Sequence, residues 1–376
     1  MAGIYIHIPF CHQACTYCDF HFVTSLVRKE EMVIAIMQEL QMRKGFFPEH
    51  TTIETIYFGG GTPSVLSEKE LRSILKTVYS QFSIAENPEI TLEANPEDIN
   101  GAKLAQWKKA GINRLSIGVQ SFYDEHLHWM NRLHTGEGAI TAVMRAQDSG
   151  LENITIDLIM GIPHMTQHDW ENNLDDALSI GVPHMSVYAL TVEPKTALAH
   201  QVKHQKIGLP EEEAVAQQFL RAHERLTAEG YEHYEISSYS LPGKHSRHNS
   251  AYWNRKAYLG IGPSAHSYLQ NTRSWNKANN TFYLKQLNNG SLPIAETEVL
   301  AAEDVYHEYI MTGLRKAEGI SDVWIQEQMG FSLRETFSAE LISWEEKELC
   351  TWEKEQLRLT PAGWMIADHL IAALFL

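Results

Sequence analysis

The sequence predicts an α/β fold in which short parallel strands alternate with helices. Two observations support it: β-branched runs recur through the first two-thirds of the 376 residues, and amphipathic segments lie between most of them. Repeated strand–helix units favour a parallel sheet whose strands are joined by crossover helices. Periodicity alone does not decide between an open doubly wound sheet and a barrel.

Short runs rich in isoleucine, valine and threonine mark the strands. The predicted strands are residues 4–8, 55–58, 90–94, 114–117, 154–159, 185–190 and 233–237. Helices are predicted where apolar side chains recur every three or four positions, as at Met32, Ile36 and Leu40. Ser67 and Glu70 form a capping box that begins another helix, and a further helix is predicted over residues 211–229.

The pattern changes after about residue 240. Residues 241–300 are rich in glycine, proline, asparagine and aromatic residues with little periodicity, which predicts a loop-rich linker or cap. From residue 301 the pattern is mainly helical, with a short strand and turn at 357–363 and a terminal core helix over 364–376. We therefore expect an α/β core over 1–240, a cap over 241–300 and a smaller, mainly helical, winged-helix-like domain over 301–376.

Composition excludes several classes of protein. A hydrophobic fraction of 44% and a charged fraction of 21% are those of an ordinary globular chain. The net charge of −16 argues against tight sequence-independent binding to nucleic acid, whose phosphates need a dense basic surface. No signal peptide is recognised at the start, and the apolar end is shorter than a membrane span. We expect a cytoplasmic protein with reduced thiols and no nucleic-acid partner.

Three of the four cysteines, Cys11, Cys15 and Cys18, have the spacing C-x3-C-x2-C on a short segment after the first strand. Three thiolates on one loop can hold three corners of an iron–sulfur cubane. Because no fourth cysteine is near in sequence, one iron is left open to an exogenous ligand. S-adenosylmethionine can supply that ligand through its amino and carboxylate groups.

A zinc site is the alternative interpretation of the three cysteines. His7, His12 and His21 lie close enough in sequence to keep that alternative open. The fourth cysteine, Cys350, is far from the others and is expected to be a free structural thiol.

Glycines and polar side chains lie at or just after the ends of the next strands, which is where the functional residues of barrel proteins are found. The run 59–63, Gly-Gly-Gly-Thr-Pro, lets a ligand approach the backbone, although it also fits a tight turn. Glu93 fits a helix cap, Gln120 a turn and Arg132 a surface ion pair, so each also has a structural interpretation. Asp157 stands in an apolar strand, where an unpaired acid is costly to bury.

The run from Tyr5 to Phe20 resembles the cluster motif of radical S-adenosylmethionine enzymes, and its flanks resemble the oxygen-independent coproporphyrinogen oxidase group. The resemblance covers nearly the whole chain. It implies a partial (β/α)6 barrel with a smaller C-terminal domain, and a [4Fe-4S] cluster with S-adenosylmethionine at the carboxyl edge of the strands. The cofactor contacts that it implies are Tyr5, Tyr17, Gly60, Gly61, Thr62, Glu93, Gln120, Arg132 and Asp157.

That group has an enzymatic branch and a heme-carrying branch. The enzymes have an N-terminal extension before the cluster and a further cysteine two positions after the third, whereas this chain has Phe20 there and starts a few residues before the first strand. Residues 248–253 match the H-N-x-x-Y-W pattern of the heme carriers. The resemblance makes His248 a candidate heme iron ligand; the alternative is an aromatic loop that packs on the barrel.

We therefore expect a heme chaperone that passes heme to respiratory hemoproteins. The alternative is oxygen-independent coproporphyrinogen III dehydrogenase, in which a radical abstracts hydrogen from a propionate. An RNA-modifying radical enzyme is disfavoured by the charge and by the lack of an RNA-binding module. The expected partners are heme, an acceptor hemoprotein and an electron donor for the cluster, with at most transient membrane contact. A homodimer is left open.

Overall fold

The computed structural model describes residues 2–376. Its first part alternates strands and helices as the sequence predicts. These elements are β1 (Ala2–Ile8), α1 (Lys29–Met42), β2 (Thr52–Gly60), α2 (Glu68–Gln81), β3 (Ser83–Ala94), α3 (Gly101–Ala110), β4 (Arg114–Gln120), α4 (Asp124–Trp129), α5 (Gly136–Asp148), β5 (Ile154–Met160), α6 (Gln167–Ile180) and β6 (His184–Ala189).

The second part has shorter elements. They are α7 (Ala197–Lys203), α8 (Glu212–Ala228), β7 (Glu232–Glu235), β8 (Ser238–Ser240), α9 (Arg247–Trp253), β9 (Tyr258–Ile261), β10 (His266–Leu269), β11 (Thr272–Asn276), α10 (Asn280–Asn288), β12 (Ile294–Val299), α11 (Ala302–Gly313), β13 (Ile320–Ser321), α12 (Asp322–Met329), α13 (Leu333–Thr336), α14 (Ser338–Glu346), β14 (Cys350–Glu353), β15 (Gln356–Leu359), α15 (Pro361–Met365) and α16 (Ala367–Ala373). The capping box predicted at Ser67 and Glu70 begins α2.

One sheet of twelve strands organises the chain, in the order β12-β11-β10-β9-β1-β2-β3-β4-β5-β6-β8-β7. Strands β1 to β6 are parallel and follow chain order. Because crossovers between parallel strands are right-handed, consecutive order places their helices on one face, as in a barrel. The predicted partial (β/α)6 barrel is therefore confirmed, and the alternative of an open doubly wound sheet is excluded.

Residues 241–300 form four strands and two helices where the sequence predicts a loop-rich segment. Strand β9 pairs in parallel with β1, and β10, β11 and β12 continue the sheet in antiparallel fashion. Strands of four to six residues are too short to give a clear periodic signal, which is why the sequence pattern missed them. The division into three domains stays a prediction.

The C-terminal part contains a three-stranded sheet of order β13-β15-β14 among short helices. The strand expected before the terminal helix is β15. The terminal helix expected over 364–376 is instead two short helices, α15 and α16, interrupted at Ile366. Similarly, the strand predicted over 233–237 is a hairpin of β7 and β8.

The apolar side chains of the parallel strands form the centre of the core, with Ile4, Phe58, Leu92 and Ile117 completely buried. Within residues 2–376, no helix is both long and apolar enough to span a membrane. The carboxyl ends of β1 to β6 meet at one edge of the sheet, so the loops that follow them converge there.

Candidate functional site

A cavity of about 330 Å³ opens at the carboxyl edge of the parallel strands. It collects every predicted site residue except Tyr5 and His248. The predicted residues that line it are Cys11, Cys15, Tyr17, Cys18, Gly60, Gly61, Thr62, Glu93, Gln120, Arg132 and Asp157. Residues spread over some 150 positions of the chain therefore meet in one place.

The cysteine loop is held on one side by the glycine run. The Gly61 amide donates to the Ile8 carbonyl (2.9 Å) and the Thr62 amide to the Phe10 carbonyl (2.7 Å), so the β1–β2 pairing continues past the strand ends. A Cβ at Gly61 would lie 2.6 Å from the Phe10 carbonyl oxygen. Only glycine allows the two segments to cross this closely, and the crossing places Cys11 over the sheet edge.

The other side of the cysteine loop is clamped by a turn after α4 and by the start of α7. Gln13 Nε2 donates to Asn131 Oδ1 (2.7 Å), and Asn131 Nδ2 donates back to the Ala14 carbonyl (2.7 Å). The Thr16 carbonyl accepts from the Leu198 amide (2.8 Å). These bonds fix the loop that carries the three cysteines.

The three thiols differ in exposure: Cys11 is buried, while Cys15 and Cys18 are half-buried. Burial raises the pKa of Cys11 to about 11 and that of Cys18 to about 12. Thiolates are the form that binds iron, so metal binding here releases protons. Among residues 2–376, no three His, Cys, Asp or Glu side chains are grouped to hold a single metal ion. A cubane makes a different demand, because each iron takes its own thiolate.

Two carboxyl groups face the cavity. Glu93 accepts hydrogen bonds from the Tyr57 hydroxyl (2.8 Å) and the Gly60 amide (3.2 Å). Burial, together with the neighbouring Asp157, raises the pKa of Glu93 to about 7. Burial raises the pKa of Asp157 to about 6, and the Ser116 hydroxyl donates to its Oδ2 (3.4 Å). A cationic group entering the cavity would stabilise the ionised form of both acids.

Arg132 is hydrogen bonded to three neighbours, which use three of its five N–H donors. Its Nη2 donates to Asn95 Oδ1 (2.8 Å) and to the Gly118 carbonyl (2.7 Å), and its Nη1 donates to Cys15 Sγ (3.5 Å). Its Nε is buried without a hydrogen-bond partner in the described chain. An unsatisfied buried donor beside a cavity fits a ligand that brings an acceptor, such as a carboxylate.

Gln120 and Gly118 shape the same wall. The β4–β5 pairing shifts register between Gly118 and Gln120, and Gln120 has a φ of +67°. A Cβ at Gly118 would lie 2.8 Å from Gln120 Nε2 and 3.2 Å from Arg132 Nη2. The missing side chain thus makes room for both polar groups at the cavity.

Several lining residues were missed by the sequence reasoning, among them Tyr57, Asn95, Ser116, Ser186 and Asn249. A sequence signal exists for Ser116, which lies four positions before the predicted residue Gln120 in β4 and would share its face in a regular strand. No predicted site residue lies on β6, so the same rule gives no signal for Ser186.

His248 lies outside this cavity and is 2% exposed. Its Nδ1 is hydrogen bonded to Thr55 Oγ1 (2.7 Å) and its Nε2 to the Tyr252 hydroxyl (2.9 Å). Burial, with the charge of Arg114, lowers the pKa of His248 to about 3. Since both ring nitrogens are engaged, ligation of heme iron by His248 would require breaking one of these bonds.

Tyr5 also does not line the first cavity. It lines a second, larger cavity of about 580 Å³ beside the first. Its hydroxyl is 3.3 Å from His7 Nδ1, and its ring stacks on Tyr57 with centroids 6.1 Å apart. Tyr5 therefore supports the wall between the cavities rather than the surface of the first.

Comparison with protein families and known proteins gives a consistent result. Residues 5–177 match the family described as the radical SAM superfamily, and residues 300–366 match the HemN C-terminal domain. The chain is 34% identical to the heme chaperone HemW of Bacillus subtilis, with 99% of each chain covered. It is 37% identical to HemW of Escherichia coli, over 70% of this chain and 69% of that protein.

Among solved structures, the fold is similar to coproporphyrinogen III oxidase (HemN) from Escherichia coli, a radical SAM enzyme. The TM-score is 0.85, and the match covers 100% of this chain and 90% of HemN. At 21% sequence identity, this likeness concerns the fold alone.

Proposed function

This chain belongs to the HemW family of the radical SAM superfamily, and from that premise we propose that it binds heme and transfers it to a respiratory hemoprotein. The observation that carries the proposal is its similarity to a heme chaperone along the full length of both chains. That similarity includes residues 241–299, which lie outside both matched domains and contain the H-N-x-x-Y-W motif.

Membership of the radical SAM superfamily implies a [4Fe-4S] cluster and S-adenosylmethionine. We infer that Cys11, Cys15 and Cys18 hold three irons as thiolates and that S-adenosylmethionine supplies the ligand of the fourth. The unpaired Arg132 Nε is suited to a carboxylate, and the Glu93 carboxylate to an ammonium group. Both groups occur on S-adenosylmethionine.

Six further residues complete the proposed contacts. Gly60, Gly61 and Thr62 present backbone to the cavity, and Gln120 presents an amide beside Arg132. Asp157 and Tyr17 line the remaining surface. We propose that these residues position S-adenosylmethionine. Tyr5 stacks on Tyr57 and supports it without contacting the ligand.

We propose that the chain lacks coproporphyrinogen III dehydrogenase activity. Two positions after Cys18, where the resembled enzymes have a further cysteine, this chain has Phe20, which is 67% exposed and lines both cavities. A phenyl ring offers neither a thiolate nor a proton. The remaining proposed partners are an electron donor for the cluster and an acceptor hemoprotein, in the cytoplasm.

One anaerobic comparison on the reconstituted full chain tests the proposed function. Given coproporphyrinogen III, S-adenosylmethionine and reductant, the protein should form no protoporphyrinogen, whereas hemin should bind with one-to-one stoichiometry. Transfer is then measured by mixing the hemin-loaded chain with an apo-hemoprotein and following the acceptor's Soret band. Robust decarboxylation, or failure to bind hemin at all, would overturn the proposal.

A further inference from the structure

The second cavity has a place in the molecule that the proposed cluster chemistry leaves unused. Residues of β1 and the loop after it, of the segment from α9 to β11 and of α11 line it, so it brings together residues 5–21 and 252–312. Asp19 and Phe20 line both cavities, so the two cavities are adjacent. Its volume of about 580 Å³ is in the range of small-molecule sites, about 300–1,000 Å³.

Aromatic side chains dominate one wall of this cavity. The rings of Tyr252 and Tyr258 meet edge to face with centroids 4.5 Å apart, and Tyr258 lies 6.3 Å from Tyr268. All three tyrosines line the cavity. Such a wall suits a flat, extended π-system, because ring faces and edges can pack against it over a large area.

Two guanidinium groups in the cavity share one carboxylate. Arg273 is hydrogen bonded to Glu308, and Arg255 Nε lies 3.9 Å from the same carboxylate. Arg255 Nε is also buried without a hydrogen-bond partner in the described chain. Asp19 and Glu308 together balance the formal charge of the two arginines. The site therefore offers ligand carboxylates hydrogen-bond donors rather than a net positive charge.

Of the three histidines that line the cavity, His266 differs from the other two. Both ring nitrogens of His7 are engaged, with Tyr5 and with the His21 carbonyl, and His21 Nε2 is bound to Asn280. His266 is exposed, and neither of its ring nitrogens has a hydrogen-bond partner among residues 2–376. The ring is stacked on Trp275 with centroids 5.5 Å apart, which holds it in place.

The protonation state of His266 also suits a metal ligand. Partial burial, together with the charge of Arg273, lowers its pKa. A lowered pKa favours the neutral imidazole, and a neutral imidazole is the common axial ligand of heme iron.

We propose that the second cavity is the heme site, with His266 as the iron ligand and Arg255 and Arg273 as partners of the propionates. The inference rests on the proposed function, because heme is the ligand that combines a flat π-system, an iron and two carboxylates. On binding, the propionates replace Glu308 on the arginines, so Glu308 competes with the ligand. In this arrangement, His248 supports Tyr252 from behind and does not touch iron.

Hemin titration of the cluster-loaded full chain tests the iron ligand. His266→Ala should weaken hemin binding at least tenfold and shift the Soret band, and added imidazole should restore the band. Binding of iron-free protoporphyrin IX should change little, because it makes no bond to His266. His204→Ala, an exposed histidine on another segment, is the matched control and should bind hemin as the unmodified chain does.

The carboxylate partners predict effects of opposite sign. Arg273→Gln should weaken hemin several-fold but leave hemin dimethyl ester unchanged, whereas Glu308→Gln should tighten hemin several-fold by freeing both arginines. Arg72→Gln, at a side chain 54% exposed on α2, is the control. Unchanged circular dichroism and cluster absorbance verify that each variant is folded. A merely structural role of Glu308 would weaken binding instead.

The outcomes separate this inference from the proposed function. If the unmodified chain does not bind hemin, the proposed function fails. If it binds hemin but the His266, Arg273 and Glu308 variants match it in affinity and spectrum, the site assignment is wrong while the function stands. Loss of the Soret band in a folded His248→Ala variant, with His266→Ala unaffected, would show that His248 and not His266 is the iron ligand.

Discussion

The two neighbouring cavities are built in different ways. The first takes its polar groups from the carboxyl ends of consecutive parallel strands and from the loops after them, and most of those groups are already hydrogen bonded to one another. The second joins β1 to residues some 250 positions later, and its arginines compete for one carboxylate. Preorganised bonds suit a resident cofactor, whereas groups that can exchange partners suit a cargo that must be released.

The largest effect is expected in the first cavity alone. Cys15→Ser should remove the visible absorbance of the cluster and most of the iron, because a cubane loses one of its three protein ligands. Hemin affinity should stay within about threefold, since Cys15 does not line the second cavity. Iron analysis and hemin titration on the same reconstituted sample check both statements.

Cys350→Ser is the matched control for that experiment. Cys350 is buried in β14 of the small C-terminal sheet and lines neither cavity. Its substitution should leave the iron content unchanged. Full iron in Cys15→Ser, or iron loss in Cys350→Ser, would contradict the assignment of three cysteines to the cluster and one to the core.

The sequence could predict the first cavity because its signals are local. Three cysteines within eight residues, and glycines or acids at strand ends, need only short-range patterns and the rule that parallel strands end at one edge. The second cavity has no such pattern. His266, Arg273 and Glu308 come together in one cavity only because β9 pairs with β1. No local sequence pattern predicts that pairing.

The same contrast explains the errors about the fold. Strands β1 to β6 have buried apolar segments, which predict all six strands in the right order, although β2 and β3 begin three and seven residues earlier than predicted. The strands after residue 240 are short and mixed, and β12 has almost no buried residue. The H-N-x-x-Y-W motif singles out His248, but a motif cannot show that both ring nitrogens are hydrogen bonded to Thr55 and Tyr252.

A smaller effect, again confined to the first cavity, is expected for Gly118→Ala. The new Cβ would lie 2.8 Å from Gln120 Nε2 and 3.2 Å from Arg132 Nη2, so both side chains must move. We expect S-adenosylmethionine affinity to fall about tenfold, or about 1.4 kcal/mol, with little change in hemin affinity. Isothermal titration calorimetry measures both constants.

Gly101→Ala supplies the comparison for Gly118→Ala. A Cβ at Gly101 would meet no atom within 4 Å, and the residue lies in the first turn of α3. The two variants make the same chemical change in open and in crowded surroundings. Equal S-adenosylmethionine affinity in both would show that the wall formed by Gln120 and Arg132 does not contact this ligand.

His248 links the two cavities, and its expected effect is on the pH dependence of stability rather than on one cavity alone. Its ring stacks on Tyr57 of the first cavity and meets Tyr252 of the second, each with centroids 4.9 Å apart. Burial lowers its pKa from 6.5 to about 3, so the folded state resists protonation more than the unfolded state does. Its contribution to stability is therefore complete above pH 6.5 and is lost as the pH falls toward 3.

Between pH 7 and pH 5, this one group should lower the free energy of unfolding by about 2 kcal/mol. His248→Gln removes the titration, so the variant should lose about 2 kcal/mol less than the unmodified chain over that interval, whatever its stability at pH 7. Urea unfolding at the two pH values measures the difference, and His204→Gln should behave as the unmodified chain. Because His248 contacts a tyrosine of each cavity, acid should weaken S-adenosylmethionine and hemin binding together in the unmodified chain and less so in His248→Gln. If the pH dependence of unfolding is the same in His248→Gln as in the unmodified chain, His248 is not the buried neutral link between the cavities.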